Sequence, residues 1–300
     1  MTIPVWAVVV AYNDQAGFRR CVASLAGQSA ALEGVFVVDN NASYNVRQIL
    51  TDMSAGHICQ TEIVTPGKNL GSAGGFALGM QTAYQKGAEW VWLHDEDDFP
   101  EPHCLEKLLA LPAGKIRAPR VMDPQSGKDL LYFKRMRGPL GYFYTAPDKS
   151  KVVSTAGTAG LMIHREIIDR IGVYDPRFFV GFEDYDYCLR AGRAGYPVTV
   201  VDEAVVYHPD HQSQLSARAG ILECVLTHLP SFWGIIRMGS GRDFYTVRNY
   251  ILLSKRHKSK VIVTLEMLVS LMLLPMFKLA DHRVELRTTL KTYLKTLCAG

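Results

Sequence analysis

The run Pro4-Val5-Trp6-Ala7-Val8-Val9-Val10-Ala11 limits the possible folds more than any other stretch of the chain. It is apolar throughout and mostly β-branched, with no polar residue alternating through it. A strand with one wet face alternates, whereas a continuous apolar run is buried on both faces, as in a parallel sheet covered by helices. Val35 to Val38 repeats the pattern, Glu62-Ile63-Val64 is a shorter third strand, and Glu89 to Leu93 is a fourth. Between them Phe18, Cys21, Val22 and Leu25 recur at helical spacing. A second helix is expected around Val46 to Met53, and glycine-rich Lys68 to Gly87 opens a third. Strand and helix in this rhythm predict an α/β fold, a parallel sheet with helices on its faces. With 300 residues, 48% hydrophobic and 21% charged, the chain has enough apolar content for one large domain plus an appendage.

Residues 112–150 mix Pro, Gly, Lys and Arg with Tyr and Phe and read as an excursion or hairpin. From Val152 a strand and a helix return, followed by an aromatic loop from Tyr174 to Gly181. A helix from Glu183 to Gly195 carries acids in its first turn, where the helix dipole favours them, and Asp186 and Arg190 are spaced to pair. Pro197 to Val206 supplies one or two further strands that run into His208.

The net charge of +4 says little about partners, but Lys255, Arg256, His257, Lys258 and Lys260 cluster near the C-terminus. Val261 to Phe277 is apolar but only 17 residues long and contains Glu266; a spanning helix needs about 20 apolar residues. Leu279, Leu286, Leu290, Tyr293, Leu294 and Leu297 mark one side of a second, amphipathic helix. Such a pair suits an anionic membrane surface, or else packing on the main domain or a second subunit. The six cysteines include no CxxC pair and read as reduced thiols of a cytosolic protein. The apolar N-terminus lacks the basic flank of a secretory signal, so the sequon Asn41-Ala42-Ser43 is taken as chance.

In parallel α/β sheets ligands bind beyond the carboxyl ends of the strands. Three such ends carry polar groups: Tyr12-Asn13-Asp14, Asp39-Asn40-Asn41, and Asp95-Glu96-Asp97-Asp98. Four adjacent like charges repel unless a cation sits among them. An Asp-x-Asp pair at a strand end suits Mg²⁺ or Mn²⁺ with positions left for substrate phosphates. Two registers are open, Asp95 with Asp97 or Glu96 with Asp98. Asp39 is placed to accept the imide N–H of a uracil or thymine, or to cap its own turn. Glycines 71, 74, 75 and 79 do not fit a dinucleotide fingerprint, but Gly75 and Gly79, one turn apart, permit close helix packing. Glu183-Asp184-Tyr185-Asp186, beside Phe178, Phe179 and Phe182, offers a general base or plain N-terminal capping. His208 is a candidate third ligand for a carboxylate-bound metal.

Six blocks in order then resemble one family: VAYN at 10–13, VDNNAS at 38–43, GKNLGSAGGFALG at 67–79, LHDEDDFPEP at 93–102, GTAGLMIHREIIDRIGVYDPRFFVGFEDYDYCLRAG at 157–192 and YHP at 207–209. They resemble the family 2 glycosyltransferases of GT-A fold, and among these the bacterial rhamnosyl- and galactofuranosyltransferases of cell-surface polysaccharide synthesis. The resemblance spans residues 3–210; beyond it, Tyr245-Thr246-Val247-Arg248-Asn249 resembles a segment such enzymes often carry. It implies a Rossmann-like, nucleotide-sugar-binding mixed sheet over 1–210, with a donor half to about 110 and an acceptor half after it. Residues 211–300 are expected to form a C-terminal helical region.

The resemblance also implies roles. Asp95, Asp97 and His208 would hold Mn²⁺ or Mg²⁺. Asp184 would be the catalytic base, with Glu183 its neighbour. Tyr12, Asn13, Asp39, Lys68, Asn69, Gly74, Trp92 and Glu96 would line the donor site, Glu96 toward the sugar. The implied reaction is inverting transfer from a UDP- or dTDP-sugar to a glycan or polyprenyl-linked acceptor. It would take place at the cytoplasmic face of the plasma membrane, with no nucleic acid involved and a homo-oligomer possible. Rival readings are a nucleotidyltransferase, which would need a basic glycine-rich loop where AYNDQAGFRR stands, and a non-catalytic binding protein on the same fold.

Overall fold

The computed structural model describes residues 3–53, 60–130, 133–137, 143–145, 151–209, 243–258, 260, 261 and 264. The chain divides into two compact units. The first comprises residues 1–135, 145–179 and 183–210; the second comprises 136–144, 180–182 and 211–300.

The first unit begins with the expected alternation. Strand β1 (Val5–Ala11) leads to α1 (Gln15–Ala26), β2 (Gly34–Asp39), α2 (Val46–Met53), β3 (Gln60–Val64), α3 (Gly71–Gln85) and β4 (Trp90–Asp95). Then come β5 (Phe99–Pro100), α4 (Cys104–Ala110), β6 (Ile116–Met122), β7 (Phe133–Arg137), β8 (Phe143–Thr145), β9 (Val152–Val153), β10 (Thr155–Ala156) and β11 (Met162–His164). Helix α5 (Arg165–Ile171), a 3₁₀ turn (Pro176–Phe178), α6 (Glu183–Arg193) and β12 (Val198–Tyr207) follow.

The main sheet has the order β3-β2-β1-β4-β11-β6-β12-β5, with β9 also against β12. Strands β1 to β4 are mutually parallel, as the unbroken apolar runs require. The sheet is mixed beyond β4, because β11 runs antiparallel to both β4 and β6. Met162 to His164 leads directly into α5. The irregular stretch after residue 122 supplies β7, whose Lys134 and Phe133 pair antiparallel with Thr155 and Ala156 of β10.

Each face of the main sheet has its own core. Val5, Ala7, Val9 and Ala11 pack with Phe18, Cys21, Val22 and Leu25 of α1, Ile49 and Leu50 of α2, and Leu105 and Leu108 of α4. The alternate residues Trp6, Val8 and Val10 pack with Phe76 and Met80 of α3, Ile167 of α5 and Tyr187 of α6. The period of two along β1 therefore feeds both layers. Cys21, Cys104 and Cys188 are buried, unpaired thiols.

Helix α3 lies close over β1. A Cβ on Gly79 would stand 2.2 Å from Val8 Cγ1, and one on Gly75 2.8 Å from Val10 Cγ1. This is the close approach that the glycine spacing predicts, with β1 as the neighbour. Gly71, at φ +70°, opens the helix where a Cβ would fall 2.0 Å from the carbonyl oxygen of Phe179.

In the second unit the described helix is α7 (Asp243–His257). It contains the 245–249 segment, and Asn249 is fully buried there. Its Nδ2 donates to the carbonyls of Val180 at 2.9 Å and Gly181 at 2.8 Å. Lys255, Arg256 and His257 fill the last turn, where the helix dipole favours cations. Among the described residues no helix is long and apolar enough to cross a membrane. The amphipathic helix expected over 279–297, and nearly all of the apolar stretch before it, lie outside the described residues.

Gly79→Val should lower the unfolding free energy by about 1–3 kcal/mol, the usual cost of overpacking. Gly192→Ala in α6, where an added Cβ would meet nothing within 4 Å, should be neutral or mildly stabilising. Urea unfolding of the two variants beside wild type checks both.

Candidate active site

Register aligns the polar strand ends. Ala11 of β1 pairs with Asp39 of β2, and Val10 pairs with Asp95 of β4. The acidic run therefore emerges beside the loops that leave β1 and β2. On the far side of the sheet β12 pairs antiparallel with β5, Tyr207 opposite Phe99. That register sets His208, one residue past the pair, against Asp98, one residue before it.

The four acids point to different partners. Glu96 turns toward the β1–α1 loop. Its Oε1 accepts the backbone N–H of Asn13 at 2.7 Å and of Asp14 at 2.8 Å. Its Oε2 accepts the N–H of Tyr12 at 2.7 Å and the hydroxyl of Tyr44 at 2.6 Å. Burial, and then the bond to Glu96, hold the Tyr44 hydroxyl well above its ordinary range.

Asp98 turns into the protein and is fully buried. Its Oδ2 accepts the backbone N–H of Asp95 at 2.8 Å, and its Oδ1 lies 2.9 Å from His208 Nδ1. His94, also fully buried and edge-on to Trp92, has its Nδ1 3.7 Å from Asp98 Oδ2, beyond hydrogen-bond reach. Burial alone would raise the Asp98 carboxyl; the two histidines outweigh it and hold the group below its usual range. His208 shows the converse. Burial would lower it, but the hydrogen bond to Asp98 and the charges of Asp98, Asp97 and Asp95 raise it to about 9. Asp97 Oδ1 lies 3.6 Å from the same Nδ1.

Asp97, Asp98 and His208 thus offer ligand atoms that all lie within 4.8 Å of one another. Two carboxylates and an imidazole form a donor set suited to a divalent cation. The group takes Asp98 where the resemblance implied Asp95. Asp95 is held well above the usual carboxylate range by burial first, and then by the charges of Asp98, Asp97 and Glu183. Like charges this close do not all ionise. The influence of Glu183 also shows that the first turn of α6 is within electrostatic reach of the acidic run.

That first turn carries Glu183 and Asp184. Glu183 is buried and hydrogen-bonded to the Ser72 hydroxyl at the start of α3. Asp184 is half-buried, and its Oδ1 accepts the N–H of Tyr185 at 2.7 Å. Asp186 is buried and bound to Arg190 Nε at 2.8 Å, the surface pair expected from their spacing, here turned inward. Asp184 is therefore the acid of this turn whose carboxylate stays partly accessible.

The other expected donor residues separate into two sets. Tyr12 is 41% exposed at the end of β1, and Asn13 and Lys68 are exposed. Asp39 is half-buried and its Oδ1 accepts the N–H of Ala42 at 2.9 Å, so it does cap its turn. Asn69 closes its own loop, its Oδ1 accepting from Gly71 N at 2.7 Å and Asn40 Nδ2 at 3.1 Å. Three of the expected residues are engaged within the protein. Trp92 is fully buried with its ring N–H donating to the Gly160 carbonyl at 2.9 Å, so it faces the core and not a ligand. Gly74 is buried against Leu70, whose Cβ would be 2.7 Å from an added Cβ. Glu96, expected to face the donor sugar, has both oxygens occupied by the loops. Sequence reasoning missed Tyr44, Ser72, Asn40 and His94. Asp98 was legible as half of the second register.

The fold is that of the GT-A glycosyltransferases. The crystal structure of GalNAc-T7 with UDP, GalNAc and Mn²⁺ matches with a TM-score of 0.60 and 14% identity, over 84% of this chain and 48% of that one. The chain thus spans just under half of that solved protein. The chain belongs to the glycosyltransferase-like family 2, whose model matches residues 4–220. It is similar to galactofuranosyltransferase GlfT1 of Mycolicibacterium smegmatis, 29% identical over 68% of this chain and 70% of that protein. It is also similar to dTDP-rhamnosyl transferase RfbF of Shigella flexneri, 24% identical over 90% of this chain and 87% of the relative. The class is glycosyltransferase, and the nucleotidyltransferase alternative falls.

In a chelating buffer, stability should depend on the His208 proton. His208's pKa is raised on folding, so its contribution is full below its ordinary value of 6.5 and is lost as pH rises through about 9. Wild-type unfolding free energy should fall over that interval, and His208→Gln should flatten the fall. Asp98→Asn, which cannot accept from both partners, should lower stability by about 1–3 kcal/mol by thermal unfolding.

Proposed function

We propose that the chain is a metal-dependent, inverting glycosyltransferase that moves galactofuranose or rhamnose from a UDP- or dTDP-linked donor to a glycan or lipid-linked acceptor of a bacterial surface polysaccharide. The observation that carries this reading is the convergence of Asp97, Asp98 and His208 at the strand ends. The names of the two relatives support the choice of sugars.

Asp97, Asp98 and His208 would hold the cation. An imidazole in the set favours Mn²⁺ over Mg²⁺, which prefers an all-oxygen octahedron. When bound, the ion supplies positive charge to the departing diphosphate. Tyr12, Asn13, Asp39 and Lys68 border the nucleoside. Asp184 takes the proton from an acceptor hydroxyl as that oxygen bonds to the anomeric carbon. The bond from that carbon to the diphosphate breaks, and its electron pair leaves with the nucleoside diphosphate. A single displacement inverts the configuration. Glu183, fixed by Ser72, holds the first turn of α6 in place behind Asp184. The basic last turn of α7 and the apolar sequence after it fit attachment to the inner face of the plasma membrane.

A thermal-shift panel of UDP, dTDP, GDP and CDP, with and without Mn²⁺, tests the donor class, since a ligand of the folded state raises Tm by mass action. A manganese-dependent shift with UDP or dTDP, absent in Asp97→Ala, is expected; no shift with any nucleotide would overturn the donor reading. Asp184→Asn should keep the shift and lower kcat by about 10²–10⁴, measured as transfer with either sugar nucleotide.

A further inference from the structure

We propose that Glu96 is the positioning residue of the nucleoside-binding loops, and not a ligand of metal or sugar. The inference rests on the donor reading above and says how the acidic run serves it. Glu96 sits between Asp95 and Asp97, where an exposed carboxylate would join the metal site. Its side chain instead leaves the run and crosses to the loop after β1.

There three consecutive backbone N–H groups, of Tyr12, Asn13 and Asp14, converge on its two oxygens. Successive N–H groups aimed at one point form a nest, a concavity built to receive an anion. The protein fills this nest with its own carboxylate, so a donor phosphate has no vacant place in it. The fourth bond comes from Tyr44, in the loop that leaves β2. A carboxylate offers about four lone-pair positions, and these four donors use them all. A further tie runs between the two loops themselves, Ser43 N donating to the Tyr12 carbonyl at 2.8 Å.

One side chain therefore anchors both walls of the crevice beyond β1 and β2. Tyr12, whose ring is exposed, and Asp39 stand on those walls. An exposed aromatic ring is a sequence-tolerant platform for a base, and an aspartate can accept an imide N–H. Neither is useful unless its loop is held at a set distance from the diphosphate site. Glu96 and Asp97 are neighbours in the chain, so a single peptide bond fixes the anchor of the loops relative to the metal group. Bonds to an ionised acceptor are the strong ones. Loss of the charge should therefore loosen the loops without touching the Asp97, Asp98 and His208 cluster.

The test separates base from metal. UMP and dTMP binding is measured in EDTA by calorimetry, and Mn²⁺ binding is measured alone by electron paramagnetic resonance. Both are done on wild type, Glu96→Gln and Tyr44→Phe. For Glu96→Gln the expected result is a loss of about tenfold in affinity for the monophosphate that wild type prefers. Affinity for Mn²⁺ should change by less than about twofold. Tyr44→Phe removes one of the four bonds, and a smaller loss in the same direction is expected; it serves if Glu96→Gln does not fold. A general structural role would lower Tm and leave both affinities unchanged, and that overturns the inference. So does a loss confined to Mn²⁺. A wild type that binds neither monophosphate, nor UDP or dTDP with Mn²⁺, sinks the donor reading itself and this inference with it. Normal wild-type binding with an unaffected Glu96→Gln sinks the inference alone.

Discussion

Mutual repulsion among Asp95, Glu96, Asp97 and Asp98 has to be relieved, and the end of β4 relieves it by sending each acid to a different environment. Glu96 is neutralised by backbone N–H groups of another loop. Asp98 is buried and held ionised by His208. Burial first, and then the neighbouring acids, raise the Asp95 carboxyl well above its ordinary range. Asp97 remains partly accessible, 3.6 Å from the raised imidazole of His208. A divalent ion held by this group would have to displace the His208 proton.

This arrangement depends on the sheet. The parallel pairing of β1 with β2 and β4 brings Asp39 and Asp95 out on one side. The antiparallel β11 lies between β4 and β6, and β6, β12 and β5 extend the sheet and deliver His208 beside Asp98. Helix α3 contributes by lying unusually close to β1. Gly75 and Gly79 let it do so, and Ser72 at its start meets Glu183 at the start of α6. The strand ends, the loops beyond β1 and β2 and the first turn of α6 are thus tied to one another through packed elements.

Much of the fold was legible. The unbroken apolar runs identified β1, β2 and β4 as doubly buried, and helical spacing placed α1 and α2. Direction beyond β4 was not legible, because a three-residue strand such as β11 carries no periodicity from which to read parallel or antiparallel. The acids at 95–98 and His208 stood out in the sequence, and the structure brings Asp97, Asp98 and His208 together. Trp92 was placed at the donor site by its position in the sequence, yet the pleat turns its ring into the core, where it donates to the Gly160 carbonyl.

What the sequence alone determined is the inventory: an α/β sheet from runs of apolar residues, and acids and amides where those runs stop. Local patterning suffices for that, because burial on two faces and termination at a strand end are properties of neighbouring residues. The tertiary structure decided which acid meets which partner. Glu96 reaches Tyr12 to Asp14 and Tyr44, and Asp98 reaches His208, across more than fifty residues in every case. Contacts at that separation follow from strand register and from the balance of desolvation against charge, and neither quantity exists until the sheet has formed.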